Sequence, residues 1–334
     1  MLIVADDPIF LLHDTGRGHP ERPQRLGAVH EGIVHSGLLD ALVHVDPRPA
    51  TIDELAEVHP EGYIEGLESR IAQGPGFLDA DTRVSAQSWD VARAAAGSGI
   101  DALELLAAGR GAAAFLAVRP PGHHARPSQA MGFCLLNNVA VAAASRVRLG
   151  ERVAIIDVDA HHGNGTQDAF YADPRVLYVS LHQWPLYPGT GRPEEQGAGA
   201  GLGTTCNIPV PAGTTGDVYL RALDEVVEPL VEGFAPDWLL VSVGFDAHRA
   251  DPLTGLGLSA GDYAAVLHRL SGWARPGRLA AFLEGGYDLD AVSASVAAGI
   301  PELLGDRGPI AAEERATADG PGLAAIEVAA ALWS

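Results

Sequence analysis

Asp157, Asp159 and His161 stand at alternate positions just beyond the apolar run Val153–Ile156. Alternate residues of an extended strand share one face, so these three converge while Val158 and Ala160 turn back into the packing. Asp246 follows a second apolar run, Leu239–Val243. Asp159, His161 and Asp246 together offer two carboxylate oxygens and one imidazole nitrogen. Three protein ligands leave one position of a divalent cation open to water and substrate, which is what metal-assisted hydrolysis needs. His123 and His124 follow Ala113–Val118 through Arg119-Pro120-Pro121-Gly122, a turn stiffened by its prolines. A neutral imidazole beside such a metal is a natural general base at neutral pH. Tyr287 ends the run Leu283-Glu284-Gly285-Gly286-Tyr287, where a pliable turn lets its hydroxyl reach a carbonyl oxygen that gains negative charge. Any one of these is ordinarily a hydrogen-bonded residue at a strand end or a packed side chain. Several such clusters, each following an apolar run, point to one site.

The elements that would hold them are legible too. Ala113–Val118, Val153–Ile156, Val176–Val179, Leu239–Val243 and Leu279–Leu283 are short continuous apolar runs, the pattern of strands buried on both faces. Helical periodicity lies between them, over Ser88–Ala108, Asn138–Arg148, Asp217–Glu232 and Ser259–Trp273. This alternation predicts a doubly wound, mostly parallel α/β sheet, whose carboxyl edge is where ligands bind. Gly197–Gly203 does not follow a strand and has the wrong spacing for a dinucleotide fingerprint, so it is expected to be a loop. The tail after Leu304 is expected to wrap the surface before a last Ala-rich helix over 322–332. No repeat or linker divides the chain, and one domain over 1–334 is expected.

Composition removes other classes. The 334 residues are 47% hydrophobic and 19% charged, which excludes a disordered chain. Two cysteines, Cys134 and Cys206, are too few for a disulfide scaffold or a thiolate zinc finger. The start lacks a signal-peptide pattern and no run suits a membrane helix, so a soluble, cytoplasmic protein without a membrane partner is expected. Acidic residues outnumber basic ones 43 to 22, a net charge of −21 that repels nucleic acid. There is no lysine, so among its own amines only the N-terminus is left for modification.

The segments Arg-Pro-Pro-Gly-His-His-Ala (119–125), Met-Gly-Phe-Cys-Leu-Leu-Asn-Asn (131–138), Asp-Val-Asp-Ala-His-His-Gly-Asn-Gly-Thr-Gln (157–167), Tyr-Pro-Gly-Thr-Gly (187–191), Gly-Phe-Asp-Ala-His (244–248) and Leu-Glu-Gly-Gly-Tyr (283–287) resemble the zinc-dependent histone deacetylases and acetylpolyamine amidohydrolases. The likeness runs from His19 to Tyr287 and is nearer the class II branch, which includes bacterial homologues. It implies a single-domain arginase-like fold around an eight-stranded, mostly parallel sheet. It implies one zinc ion on Asp159, His161 and Asp246, with His124 as general base and then general acid. His123 would be an electrostatic partner held by Asp157, and Tyr287 would polarise the acetyl carbonyl. Gly132, Phe133 and Tyr187 would line a narrow acyl-lysine channel. Asp157, Asp159, His161, Ser180 and Leu181 would surround a structural potassium ion, and Arg22 would stand beside an acetate-release channel.

Two positions discriminate within that family. Asn164 stands where some members carry an aspartate behind the second histidine, so His124 should be less biased towards imidazolium than His123. Leu253 stands where polyamine-selective members carry a gatekeeping glutamate, which tilts the expected substrate from acetylpolyamine towards acetyl-lysine peptide or protein. Other readings are a binuclear manganese ureohydrolase, an inactive acyl-lysine binding module and a thiol enzyme. One carboxylate in Asp246-Ala247-His248, the intact ligand set and the lack of a basic partner for Cys134 weigh against them in turn. Iron in place of zinc, and a homo-oligomer, remain open to this sequence.

Overall fold

Residues that must be apolar on both sides of a strand require helices on both faces, and that is the arrangement of the computed structural model, which describes residues 1–305 and 315–333. Its strands are β1 (Leu2–Ala5), β2 (Leu42–His44), β3 (Gly76–Phe77), β4 (Arg83–Val84), β5 (Ala113–Leu116), β6 (Val153–Asp157), β7 (Val176–Gln183), β8 (Thr205–Val210), β9 (Trp238–Val243) and β10 (Leu279–Leu283). Eight of them form one parallel sheet in the order β2-β1-β5-β10-β9-β6-β7-β8, while β3 and β4 make a small antiparallel hairpin. Along each strand the side chains alternate. Val4, Phe115, Ile156, Val179 and Val241 join a core built with helices Gln24–His35, Ala260–Trp273 and Leu289–Gly299. Ile3, Leu116, Ile155, Tyr178 and Leu240 join another with helices Ser88–Ala107 and Asn138–Val147. Fully burying one such side chain contributes about 1.5–3 kcal/mol, so the two-sided packing fixes the register of the strands and with it the strand ends.

The helices over 88–107, 138–147, 260–273 and 323–333 lie within a residue or so of their expected bounds. Ser259 and Asp262 form a reciprocal capping box that starts helix Ala260–Trp273 at its expected position. The expected helix over 217–232 is a composite of Gly216–Ala222, a π turn over Leu223–Val227, and Glu228–Phe234. Pro229 has no N–H for the helical ladder, and the π turn lies just before it. Gly197–Gly203 is loop apart from a short 3-10 turn at Gly199–Gly201. Of the tail motif Gly-Asp-Arg-Gly-Pro, positions 306–309 lie outside the described residues.

The strands reach further than the apolar runs. Ser180, Leu181 and His182, expected just beyond β7, lie inside it, because β8 pairs with the chain as far as Gln183. The edge strand β8 carries Pro209, which an edge tolerates and which hides its strand character from a sequence reading. Among the described residues no helix is long and apolar enough to cross a membrane.

Candidate active site

The last residue of β6, Asp157, pairs with Ser180 on one side and Ser242 on the other, so the chain leaves the sheet from an interior strand. Val158 and Ala160 then return to the core, and Asp159 and His161 face the carboxyl edge. There they meet Asp246 from the loop after β9. One ligand atom from each of Asp159, His161 and Asp246 lies within 4.8 Å of the others, and all three residues are buried. His161 Nδ1 is 3.2 Å from Asp159 Oδ1 and 3.0 Å from Asp246 Oδ2. Backbone amides orient the carboxylates. His161 N and Gly285 N each donate to Asp159 at 2.8 Å, and Ala160 N donates to Asp246 at 3.0 Å. Gly285 is obligatory, because a Cβ there would collide with both carboxylates. Gly286 sits at φ 116, open only to glycine.

Two buried carboxylates this close demand positive charge. Burial alone would lower the His161 imidazole, yet hydrogen bonds and charge from Asp159 and Asp246 push it up to about 10. A proton on Nδ1 thus does what a divalent cation would do between the same three atoms. Hard oxygens with one imidazole suit zinc and other divalent first-row metals, so the donor set fits a metal centre.

The two histidines of the loop after β5 have opposite environments. His123 Nδ1 is 3.1 Å from Asp157 Oδ2; burial opposes its charge, but Asp159, Asp157 and Glu284 override it and push it up to about 10. His124 is held well below the usual histidine range by burial, then by the charges of His123 and His161. Its Nδ1 is 2.9 Å from Asn164 Oδ1, while Asn164 Nδ2 donates to Met131 Sδ at 3.4 Å, so the amide presents its oxygen to the ring. Nδ1 therefore carries the proton and Nε2 keeps its lone pair. Asn164 thus stands behind His124, and Asp157 behind His123.

Aromatic rings frame the approach. Tyr187 lies 5.1 Å from the His124 ring and Phe133 lies 6.0 Å from Tyr287, centroid to centroid. Gly132 and Phe133 both take positive φ, and for Phe133, at φ 69, this is strain of about 1–3 kcal/mol that surrounding contacts must hold. One such contact is its N–H, which donates to Thr82 Oγ1 at 3.1 Å. Tyr187 and Leu253 are exposed. Cys134 and Cys206 are buried free thiols, both raised by burial, so neither is an activated thiolate. Ser180 and Leu181 are buried beside the β6 end, in one neighbourhood with Asp157, Asp159 and His161.

One expected residue is misplaced. Arg22 is exposed and precedes the helix that begins at Gln24, so it faces solvent rather than an internal channel. The buried arginine of this segment is Arg25, one helical turn on, which shares the inner face with Ala28, Val29 and Gly32. Its guanidinium lies 5.1 Å from the Tyr287 ring and donates to the carbonyls of Gly286 at 2.6 Å and Glu284 at 2.5 Å. Glu21 binds both Arg25 and Arg119, and Arg119 also donates to the carbonyls of Phe10 and His13. The Glu284 carboxylate accepts from the amides of Gly122 at 2.7 Å and His123 at 3.1 Å, and pins the histidine loop. Glu21, Arg25, Arg119 and Glu284 escape the sequence reading. The available signal is charge embedded in, or directly after, an otherwise apolar pattern.

Burial opposes the charge on Glu21, but Arg119 and then Arg25 hold it down to about 2. Such a carboxylate contributes stability above its unfolded pKa, and that contribution is lost as pH falls towards 2. Glu21→Gln strands two buried guanidinium groups and should destabilise the fold by about 3–5 kcal/mol in urea unfolding at neutral pH. The gap from wild type should narrow from pH 4.5 downward; a gap that stays constant would show the charge to be irrelevant.

Comparison with known proteins finds similarity along most of the chain. The histone deacetylase domain model matches residues 19–303. A probable deacetylase of Archaeoglobus fulgidus is 43% identical over 287 residues, covering 84% of this chain and 80% of the relative. Histone deacetylase 10, chloroplastic, of Oryza sativa is 40% identical over 311 residues, covering 86% of this chain and 70% of the relative. The crystal structure of the HDA15 HD domain superposes with a TM-score of 0.91 at 35% identity, covering 99% of this chain and 94% of that one.

Proposed function

Since the chain belongs to the histone deacetylase family and is a hydrolase of amide bonds, we propose that it removes acetyl groups from the Nε-amine of lysine, with one zinc ion on Asp159, His161 and Asp246. The observation that carries this reading is the convergence of those three ligand atoms within 4.8 Å, beside a histidine whose Nδ1 faces the Asn164 oxygen. When bound, the cation supplies a Lewis acid that polarises the amide carbonyl and acidifies water at the site. His124 Nε2 takes the proton from water as its oxygen bonds to the carbonyl carbon. The same nitrogen returns the proton to the amine as the C–N bond breaks, giving acetate and free lysine. His123, charged and held by Asp157, keeps a fixed positive charge next to His124 and discourages its premature protonation. The Tyr287 phenol donates to the carbonyl oxygen as it becomes anionic. Burial raises its pKa well above the usual tyrosine range, so it remains a donor at neutral pH.

Gly132, Phe133 and Tyr187 flank the acyl-lysine chain in this reading, and Leu253 sits at the rim. Asp157, Asp159, His161, Ser180 and Leu181 are the proposed surroundings of a structural potassium ion. Two buried thiols suit a reducing compartment, and the cytoplasm is the proposed setting.

The test is a side-by-side rate comparison of an Nε-acetyl-lysine peptide, acetylputrescine and acetylspermidine, with chelator and with zinc restored. The peptide should have the highest kcat/KM. Polyamines turning over faster would reassign the substrate, and no zinc-restorable hydrolysis of any of them would end the reading. Leu253→Glu would add a carboxylate at the rim and should raise kcat/KM for acetylspermidine about fivefold, the value of a weak exposed ion pair. An unchanged ratio between acetylspermidine and peptide would remove Leu253 from substrate selection.

A further inference from the structure

Beyond Leu283 and Val243 the ladder between β10 and β9 ends, and the two loops that carry Tyr287 and Leu253 leave the sheet separately. Phe245 N donates to Gly285 O at 3.1 Å and joins them near their roots. Further out, the side chain of Asp251 joins them. Asp251 is buried; its Oδ1 accepts from Leu253 N at 2.9 Å and its Oδ2 accepts from Tyr287 N at 2.7 Å. Its own N–H donates to His248 O at 2.9 Å, which fixes the carboxylate to its loop.

We propose that Asp251 is a positioning residue that ties the backbone of Tyr287 to the rim at Leu253, so that one carboxylate sets both the reach of the phenol and the seat of the rim. The turn it holds has no side chains at Gly285 and Gly286 to fix its shape, so hydrogen bonds must do so. Arg25 grips that turn by the carbonyls of Glu284 and Gly286, and Asp251 grips it by the amide of Tyr287. A carboxylate accepts at both oxygens, whereas an asparagine must turn its NH2 towards one of the two amides. Losing either contact moves the phenol relative to the carbonyl it serves, and a shift of about 1 Å is enough to cost a large factor in rate.

The inference rests on the deacetylase reading, and a double-mutant cycle separates the two. Asp251→Asn is made in wild type and in Tyr287→Phe, with kcat and KM on an acetyl-lysine peptide and metal content measured for each. In wild type Asp251→Asn should lower kcat about tenfold or more with metal content kept, and in the Tyr287→Phe background it should cost less than about threefold. The loss should also shrink on a trifluoroacetyl-lysine peptide, whose electron-poor carbonyl depends less on the phenol. Equal losses in both backgrounds, or no loss in wild type, would overturn the proposal. If Asp251→Asn does not fold, Asp251→Glu keeps both acceptors, displaced by one methylene. It passes through the same cycle, where a loss confined to the wild-type background supports the proposal and equal losses overturn it. A wild type inactive on every acyl amide would instead overturn the deacetylase reading itself.

Discussion

Replacing Tyr287 by phenylalanine should cut kcat by about 10²–10³, the cost of losing one preorganised donor to a developing oxyanion, while KM changes little. The substitution removes one oxygen and keeps the ring, which packs 5.1 Å from the Arg25 guanidinium and 6.0 Å from Phe133. Thermal stability and metal content should therefore stay near wild type. A phenol already kept protonated by burial adds no ionisation of its own near neutrality, so the shape of the pH profile should survive the substitution even as its height collapses. A loss below tenfold would show that the phenol does not face the reacting carbonyl. A loss accompanied by unfolding would leave Tyr287 a packing residue.

Stripping the metal should take turnover to background, and one equivalent of zinc per chain should restore it. The electrostatics add a sharper expectation. With no cation present, hydrogen bonds and charge from Asp159 and Asp246 push the His161 imidazole up to about 10. It is protonated at pH 7–8, and a cation must displace that proton to reach Nδ1. Binding should release about one proton per metal, seen as a buffer-dependent heat in titration calorimetry, and affinity should rise about tenfold per pH unit over that range. The same linkage stabilises the fold, by about 2.7 kcal/mol once zinc is at a hundred times its Kd. Asp246→Asn removes one of the two charges that hold the proton, so it should weaken zinc binding and proton uptake together. Zinc binding that releases no proton would remove His161 from the ligand set.

The chemistry is legible in the sequence because it is local. Asp157, Asp159 and His161 lie within five positions, and each of the other clusters directly follows an apolar run whose burial is written in its composition. Once the sheet is parallel, those runs bring the clusters to one edge whatever their separation in sequence. What holds the site is harder to read. Arg22 and Arg25 look alike in a sequence that offers both within one short segment, and only the helix phase decides. Position 22 precedes the first turn, and position 25 falls on the stripe shared with Ala28, Val29 and Gly32. Glu21, Arg119 and Glu284 are charged residues that survive full burial because partners from distant loops neutralise or hydrogen-bond them. That pairing is set by packing, which no short window of sequence contains. The edge strand β8 and the inner reach of β7 are hidden for a related reason, since pairing with a neighbour, not local composition, makes them strands.

The position of β10 has a consequence for biosynthesis. Among the described residues it is the last strand in sequence, yet it lies between β5 and β9. A nascent polypeptide that has left the ribosome as far as residue 275 holds a three-stranded group and a four-stranded group, each with an open hydrogen-bonding edge where β10 belongs. Such edges invite pairing with other chains until they are filled. The C-terminal portion then slots into the gap and brings the Tyr287 loop to Asp159 and His161, made more than a hundred residues earlier.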